Sequence, residues 1–442
     1  MTVMVPLGKV EQAIVEAFDK VARSLPGNDA VAQSRRDAIG RFAGLGLPSR
    51  RAEAWRYTDL KAKLKTALPP VVKSVSKAAP KLEALLGKAL ARIPAVTYVF
   101  VNGRLHSWDH GPLVADDPRL EVVPLHKALG AGSVELDGVA SGDVATLLNT
   151  AFASDGAVVR IAEGAELDLP VHIVFVTDHA EPASVAFRNR IEVGRGAHCT
   201  IIESYAAAGD AQCQTNALTD LQVGDHAQVS HIKLLAEGSN ATHLGTWLVS
   251  LGRECLYRPV QVTESPGLAR NQIFLAFDGE GSTADLKAAT LVRGHEHADT
   301  TLVIDHKVPG CTSREHYKTV LDGEAHAVFQ GKVIVRPGAQ KTDGKQMAQA
   351  LMLSETAEFS SKPELEIYAD DVACGHGSTS TELNEDHLFY LRARGVPAAE
   401  AKRLLTEAFI AEPIEAIENQ AVREAIRTRI VAWLEAGKAE PR

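Results

Sequence analysis

The sequence predicts a mainly β protein, a parallel β-solenoid from Val96 to about Thr381 with α-helical segments on either side. Three observations predict it. From Val96-Thr-Tyr-Val-Phe-Val101 onward, short β-branched runs alternate with turns containing Gly, Asp and Asn. The turns carry a small residue at a similar point: Gly164-Ala165, Gly196-Ala197, His226-Ala227, Gly281-Ser282, His297-Ala298, Gly338-Ala339 and Thr356-Ala357. The first three recur at about 30 residues and later spacings are often about half of that, as in stacked coils that bury their apolar faces against one another. Helical patterning is nearly absent between these strands, apart from a short run around Val144–Leu148, which argues against a βα-alternating sheet. A sandwich or barrel is the competing arrangement.

The flanking segments read as helices. Val10, Ile14, Phe18, Val21 and Leu25 recur at helical spacing until Pro26-Gly27 stops the run. A second helix follows Asn28-Asp29 and ends in Gly44–Pro48. Pro48 to Leu60 is dense in Arg and carries Trp55 and Tyr57, which either pin the helical segment to its neighbour or form a docking surface. Lys61 to Pro94, rich in Lys, Ala and Pro, reads as an exposed helix or linker. After Glu382, Asn384-Glu385-Asp386 offers a cap, Gly395 a stop, and Pro397 a fresh start that runs to the break at Glu412-Pro413. A last amphipathic helix carries Ile417, Ile426, Ile430, Trp433 and Leu434. These C-terminal helices either cap the solenoid or present a groove to a partner. The resulting division is 1–95 helical with a linker, 96–381 solenoid, and 382–442 helical.

Bulk properties narrow the function. A chain of 442 residues is too long for one ordinary compact core, so several domains or an elongated repeat are expected. The net charge of −9 gives no support for a nucleic-acid binder. Five scattered cysteines with no C-x-x-C pair point to reduced thiols in a cytoplasmic setting. Met1–Val10 lacks the pattern of a signal peptide, and no apolar run is long enough for a membrane span.

Several motifs are missing. Without G-x-x-x-x-G-K-[S/T] the chain has no P-loop, and Gly194-Arg-Gly196 and Gly375-His-Gly377 lack the third glycine of a dinucleotide site. H-E-x-x-H and G-x-S-x-G are absent too, which removes the commonest zinc-protease and serine-hydrolase readings. Asp370-Asp371 face opposite ways on a strand and cannot act as a carboxylate pair, which weakens the alternative of a β-helix carbohydrate-active enzyme. His295 and His297 read as a turn or solvated face. His306, His316 and His326 read as structural histidines that need not share a face, and Cys199, Cys213 and Cys255 as buried small hydrophobes.

Pro363 to Gly377 stands apart. Leu365 and Ile367 alternate with Glu364, Glu366 and Tyr368, and Val372, Cys374 and His376 then share one face. Cys374 and His376 are two metal-ligand types about 7 Å apart on an extended strand, flanked by glycines that let another backbone approach. Two ligands cannot complete a tetrahedral site, so this is half of a shared site or a structural strand end.

The segment Tyr317–Glu412 resembles the SufB/SufD family of iron–sulfur cluster assembly proteins. The likeness rests on Y-K-T-V-L-D-G at Tyr317–Gly323, V-F-Q-G-K-V-I-V-R-P-G-A-Q-K-T-D at Val328–Asp343, Gln346, and L-M-L-S at Leu351–Ser354. It continues through K-P-E-L-E-I-Y-A-D-D-V-A-C-G-H-G at Lys362–Gly377, L-F-Y-L-R-A-R-G at Leu388–Gly395 and A-F-I-A-E-P at Ala408–Pro413. Weaker agreement reaches F-V-N-G-R at Phe100–Arg104 and L-N-T-A-F at Leu148–Phe152, and E-A-W-R-Y-T-D-L at Glu53–Leu60 is similar to the N-terminal motif of the SufD branch. The resemblance implies a right-handed parallel β-helix between two helical domains. It implies a cytoplasmic scaffold rather than an enzyme, paired with a SufB homologue through the β-helix and with the SufC ATPase on the C-terminal helices. It implies a transient iron–sulfur cluster at the SufB–SufD interface, with His376 as a ligand and Cys374 beside it. After His376 the family continues A-T-V-G, whereas here Gly377 leads into Ser378-Thr-Ser-Thr381. An isolated chain is expected to form a homodimer, and a homo-oligomeric structural solenoid is the remaining alternative.

Overall fold

The computed structural model describes residues 7–72, 80–109, 117–136 and 142–436. A β-solenoid of about seven turns occupies 158–381 and is flanked by N- and C-terminal helices. Its strands form a ten-stranded and a nine-stranded sheet, and consecutive strands go alternately to one and the other. Ala183 lies beside Cys213 and Cys213 beside Ala241 in one sheet, while Val171 lies beside Ile201 in the other, all in parallel register. Each coil therefore contributes two strands and two turns. The full period of about 30 residues separates turns on the same side, and the half period separates turns on opposite sides.

The first strands are set by local chemistry. Val96–Val101 and Arg104–Asp109 form an antiparallel hairpin across Asn102-Gly103, whose φ values of 51° and 76° suit a tight primed turn. Further on, buried Ala197, Ala227, Cys255, Ser282 and Cys311 each follow a turn into the ten-stranded sheet. Their polar members bridge coils: Ser282 Oγ donates to the Gly252 carbonyl at 2.6 Å and the Cys255 thiol to the Gly224 carbonyl at 3.0 Å. Gly279 is required here, because a Cβ on it would come within 2.2 Å of the Arg253 backbone nitrogen in the coil below.

The interior is apolar for most of its length, with a buried polar network in the middle coils. Glu203 accepts from Tyr205 at 2.5 Å and Thr219 at 2.8 Å, and lies 2.8 Å from His231 Nε2. Lys233 donates to Asn271 at 2.8 Å and lies 3.0 Å from His243 Nε2, whose other ring nitrogen meets Glu237 at 2.8 Å. Burial pushes the Lys233 ammonium down to about 8 against the pull of Glu203 and Glu237. Each of these polar groups has partners, as a dry core requires.

Helices cover the two flanks. Lys9–Val21, Asp29–Leu45 and Val144–Phe152 form one apolar cluster with Leu244 and Leu268 on the outer face of the nine-stranded sheet. Asn28 caps the second of these through its side chain, accepting from the Val31 nitrogen at 3.0 Å. Ala398–Ala411 and Gln420–Ala436 pack Ile410, Val422, Ile426 and Ile430 against Ile202, Ile232, Leu234 and Val262 on the outer face of the ten-stranded sheet. The C-terminal helices thus lie along the solenoid's side and do not close its end. The final strands, Glu358–Ile367 and Ala373–Thr381, each pair on one side only and stay half-buried to exposed.

Two local expectations change. His297-Ala298 is the start of the strand His297–His306 and not a turn; the turn is formed by the residues just before it. His297 is also not on a solvated face: it is buried beside Thr58, whereas His295 is exposed. The N-terminal segment packed over this strand excludes the water that the local spacing anticipated.

Candidate functional site at the open end of the solenoid

Pro363 to Gly377 forms most of the last coil. Its first part ends the nine-stranded sheet and its second begins the last strand of the ten-stranded sheet. Register aligns Cys374 with Gly344 and His376 with Gln346. Gln346 is buried, and Leu365, Val372 and Cys374 pack against the interior cluster, so the face shared by Val372, Cys374 and His376 is the inner one. No further coil covers it among the described residues. Cys374 is therefore half-buried and His376 exposed at the mouth of an otherwise closed interior.

Small residues shape this mouth. A Cβ on Gly344 would stand 3.5 Å from Ser313 Oγ and 3.6 Å from Cys374 Sγ, ordinary contact distances that place the thiol directly against this position. Burial pushes the Cys374 thiol up, against a backbone hydrogen bond from Gly344, and the nearby Asp343 and Glu315 side chains add to the rise when ionised. Among the described residues no group of three or more His, Cys, Asp or Glu side chains is placed to hold a metal ion. Cys374 and His376 supply two donors between them, fewer than a tetrahedral site needs.

The other histidines point elsewhere. His306 lies inside, stacked on Phe277 at 4.4 Å and 3.1 Å from Ser313 Oγ. His316 is on the outer face of the ten-stranded sheet, 3.0 Å from Gln349 Oε1 and 3.7 Å from Glu412. His326 lies near His297 and 3.0 Å from Ser360 Oγ. Cys199, Cys213, Cys255 and Cys311 are buried. Burial pushes the Cys199 and Cys213 thiols up to about 12. None of these joins the pair at the mouth. Sequence reasoning passed over Glu315 and took Gln346 only as part of the family likeness; the two stand in register behind His376 on successive strands. Inward alternation on Thr312–Leu321 and Asp343–Met352 was the signal that could have found them.

A family model described as the SufBD core domain of the SUF system for FeS cluster assembly matches residues 175–409. The chain belongs to the SufBD family. An iron–sulfur cluster assembly SufBD family protein of Synechocystis, slr0076, is 31% identical over 432 residues, covering 94% of this chain and 92% of that protein. The iron–sulfur cluster assembly protein SufD of Escherichia coli is 27% identical over 89% of this chain and 90% of its own length. SufD of Bacillus subtilis is 26% identical over 63% of this chain and 65% of that protein. The SufBD match covers most of the solenoid with its open end, Glu385–Ala393 and all but the end of Ala398–Ala411, and stops before Gln420–Ala436. No helix among the described residues is long and apolar enough to cross a membrane.

Proposed function

We propose that this SufD-like chain is a non-catalytic scaffold subunit of a cytoplasmic complex with a SufB homologue and the SufC ATPase. A nascent iron–sulfur cluster, the cargo of that complex, takes a ligand from His376, with Cys374 as the secondary candidate. The supporting observation is that Cys374 and His376 stand side by side on an exposed terminal strand, facing an interior that no further coil covers among the described residues. Two donors with an open side suit a site shared between chains. The unpaired edges of both last strands suit pairing with a homologous solenoid. Exposed Phe389, Tyr390 and Leu404 on the C-terminal helices give SufC an apolar surface on which to dock.

Anaerobic reconstitution of the complex with His376→Ala and Cys374→Ala tests the assignment. Loss of iron and sulfide loading with His376→Ala, in a complex that still assembles, supports it. Loading at the unaltered level in both variants would remove this strand from the site. Light scattering tests the pairing surface: a homodimer of the isolated chain should give way to a heterodimer when SufB is added.

A further inference from the structure

The last three coils hold polar atoms that lack a protein partner in hydrogen-bond geometry. They are His306 Nδ1, the Tyr317 hydroxyl, Gln346 Oε1, Ser361 Oγ and both carboxyl oxygens of Glu315, whose neighbouring side-chain donor, the Ser313 hydroxyl, stands outside good hydrogen-bond geometry. Register places their side chains on inward faces. Tyr317 packs in the interior cluster, and Glu315 is two residues before it on the same strand. Gln346 pairs with Glu315, and Ser361 lies between Phe359 and Leu365 in the alternation of a strand whose inner residues pack on that cluster. Glu315, Tyr317 and Gln346 are 2%, 4% and 3% exposed, so bulk water does not satisfy them in passing.

Such atoms are costly in a dry interior, by about 1–3 kcal/mol for each unmet group. The buried charges of the middle coils, Glu203, His231, Lys233, Glu237 and His243, all have partners, and among the described residues the earlier interior leaves only scattered single atoms unmet, such as Thr177 Oγ1 and Gln261 Oε1. A concentration of unpaired atoms next to the mouth is what buried water would resolve, because water both donates and accepts at adaptable angles. A small cavity of about 10 Å³, lined by Thr300, Tyr317, Thr319, Ala348 and Phe359, adjoins one of these groups, Tyr317.

We propose that the end of the solenoid encloses ordered water and that Glu315 is the proton-exchanging group of this compartment, connected through that water to the open end. Glu315 lies two strands in from His376, with Gln346 between them. Burial raises its carboxyl to about 8, against opposing pulls from Ser313 and Arg314 and with a small push from Asp285. Arg314 is engaged by the Asp343 carboxylate, and the groups sharing the interior with Glu315 (His306, Tyr317, Gln346, Cys374) are neutral in their ordinary forms near pH 7. The acid is thus protonated at neutral pH and changes charge just above it.

Infrared difference spectroscopy of the full chain, wild type against Glu315→Gln, tests this without iron or partner chains. A protonated-carboxyl band present at pH 7, lost on titration to pH 10 and lost in the variant, is expected. It should shift within minutes of transfer to D2O. Absence of the band, or a shift only on the timescale of core amide exchange, would overturn the proposal. If Glu315→Gln does not fold, Tyr317→Phe carries the test, since removing a hydroxyl that lines the compartment should move the wild-type band. An unmoved band would also overturn it. His376 reconstitution can fail while these results stand, so the two readings are separable.

Discussion

The Arg270 guanidinium carbon stands over the Trp55 ring, 3.9 Å from its centre, and reaches it from a strand 215 positions away in sequence. The same guanidinium pairs with the buried carboxylate of Asp299, donates to the Ala54 carbonyl at 2.7 Å and reaches Gln272 Oε1 at 2.9 Å. Thr58 completes the joint by donating to Asp299, 2.8 Å from His297 Nε2. Pro48–Leu60 therefore pins the N-terminal helices to the solenoid through Trp55, while Tyr57 stays half-buried.

Removing Arg270 leaves Asp299 as a buried charge without its cation. Arg270→Met should cost about 3–5 kcal/mol in urea unfolding, and Trp55→Ala a similar amount through lost packing. The double variant should cost less than the two together, because the residues share one contact.

Gly331 has no room for a side chain. A Cβ there would stand 2.2 Å from Gln346 Oε1 and 2.9 Å from the Phe329 ring. Gly331→Ala should destabilise by about 1–3 kcal/mol, with part of that recovered when Gln346 is also shortened to Ala. Equal stability of wild type and Gly331→Ala would mean that Gln346 is free to turn away.

Acid should unfold the solenoid through histidines held neutral. Burial lowers His172 and His306 to about 4 and His297 to about 2, below the ordinary value of 6.5. A lowered folded-state pKa means that the unfolded chain binds protons first. Stability is complete above about pH 6.5 and is lost as pH falls toward 4, with His172 and His306 contributing on the order of 3 kcal/mol each by then. Midpoints of urea unfolding between pH 7 and pH 4 should fall steeply, and His306→Gln should flatten that slope. An unchanged slope would show that His306 does not carry it.

Thiol labelling should single out one cysteine. Cys374 is half-buried while Cys199, Cys213, Cys255 and Cys311 are buried. Iodoacetamide should modify a single thiol in the folded chain, slowly at pH 7 because burial raises the Cys374 pKa, and faster as pH rises. Cys374→Ser should abolish this labelling, and mass spectrometry reads both outcomes.

Much of the fold was legible because its causes are local. Strand alternation, the Asn102-Gly103 hairpin, the Asn28 and Asn384 caps and the shared face of Cys374 and His376 each depend on residues a few positions apart. The period of about 30 residues with its half period was also legible, since each coil has two turns. His297 was misread because its burial comes from Thr58, 239 positions earlier, and no local pattern carries that contact.

The chain alone thus determined a solenoid ending in a strand that presents Cys374 and His376 together. Alternation decides which side chains share a face, and that is a property of neighbours. Only the tertiary structure decided that this face is the inner one, that the helices lie on the flanks and leave the mouth open, and that Glu315 and Gln346 stand behind it. Stacking brings residues from successive coils about 5 Å apart, so the surroundings of the pair are set by positions about 30 and 60 residues upstream.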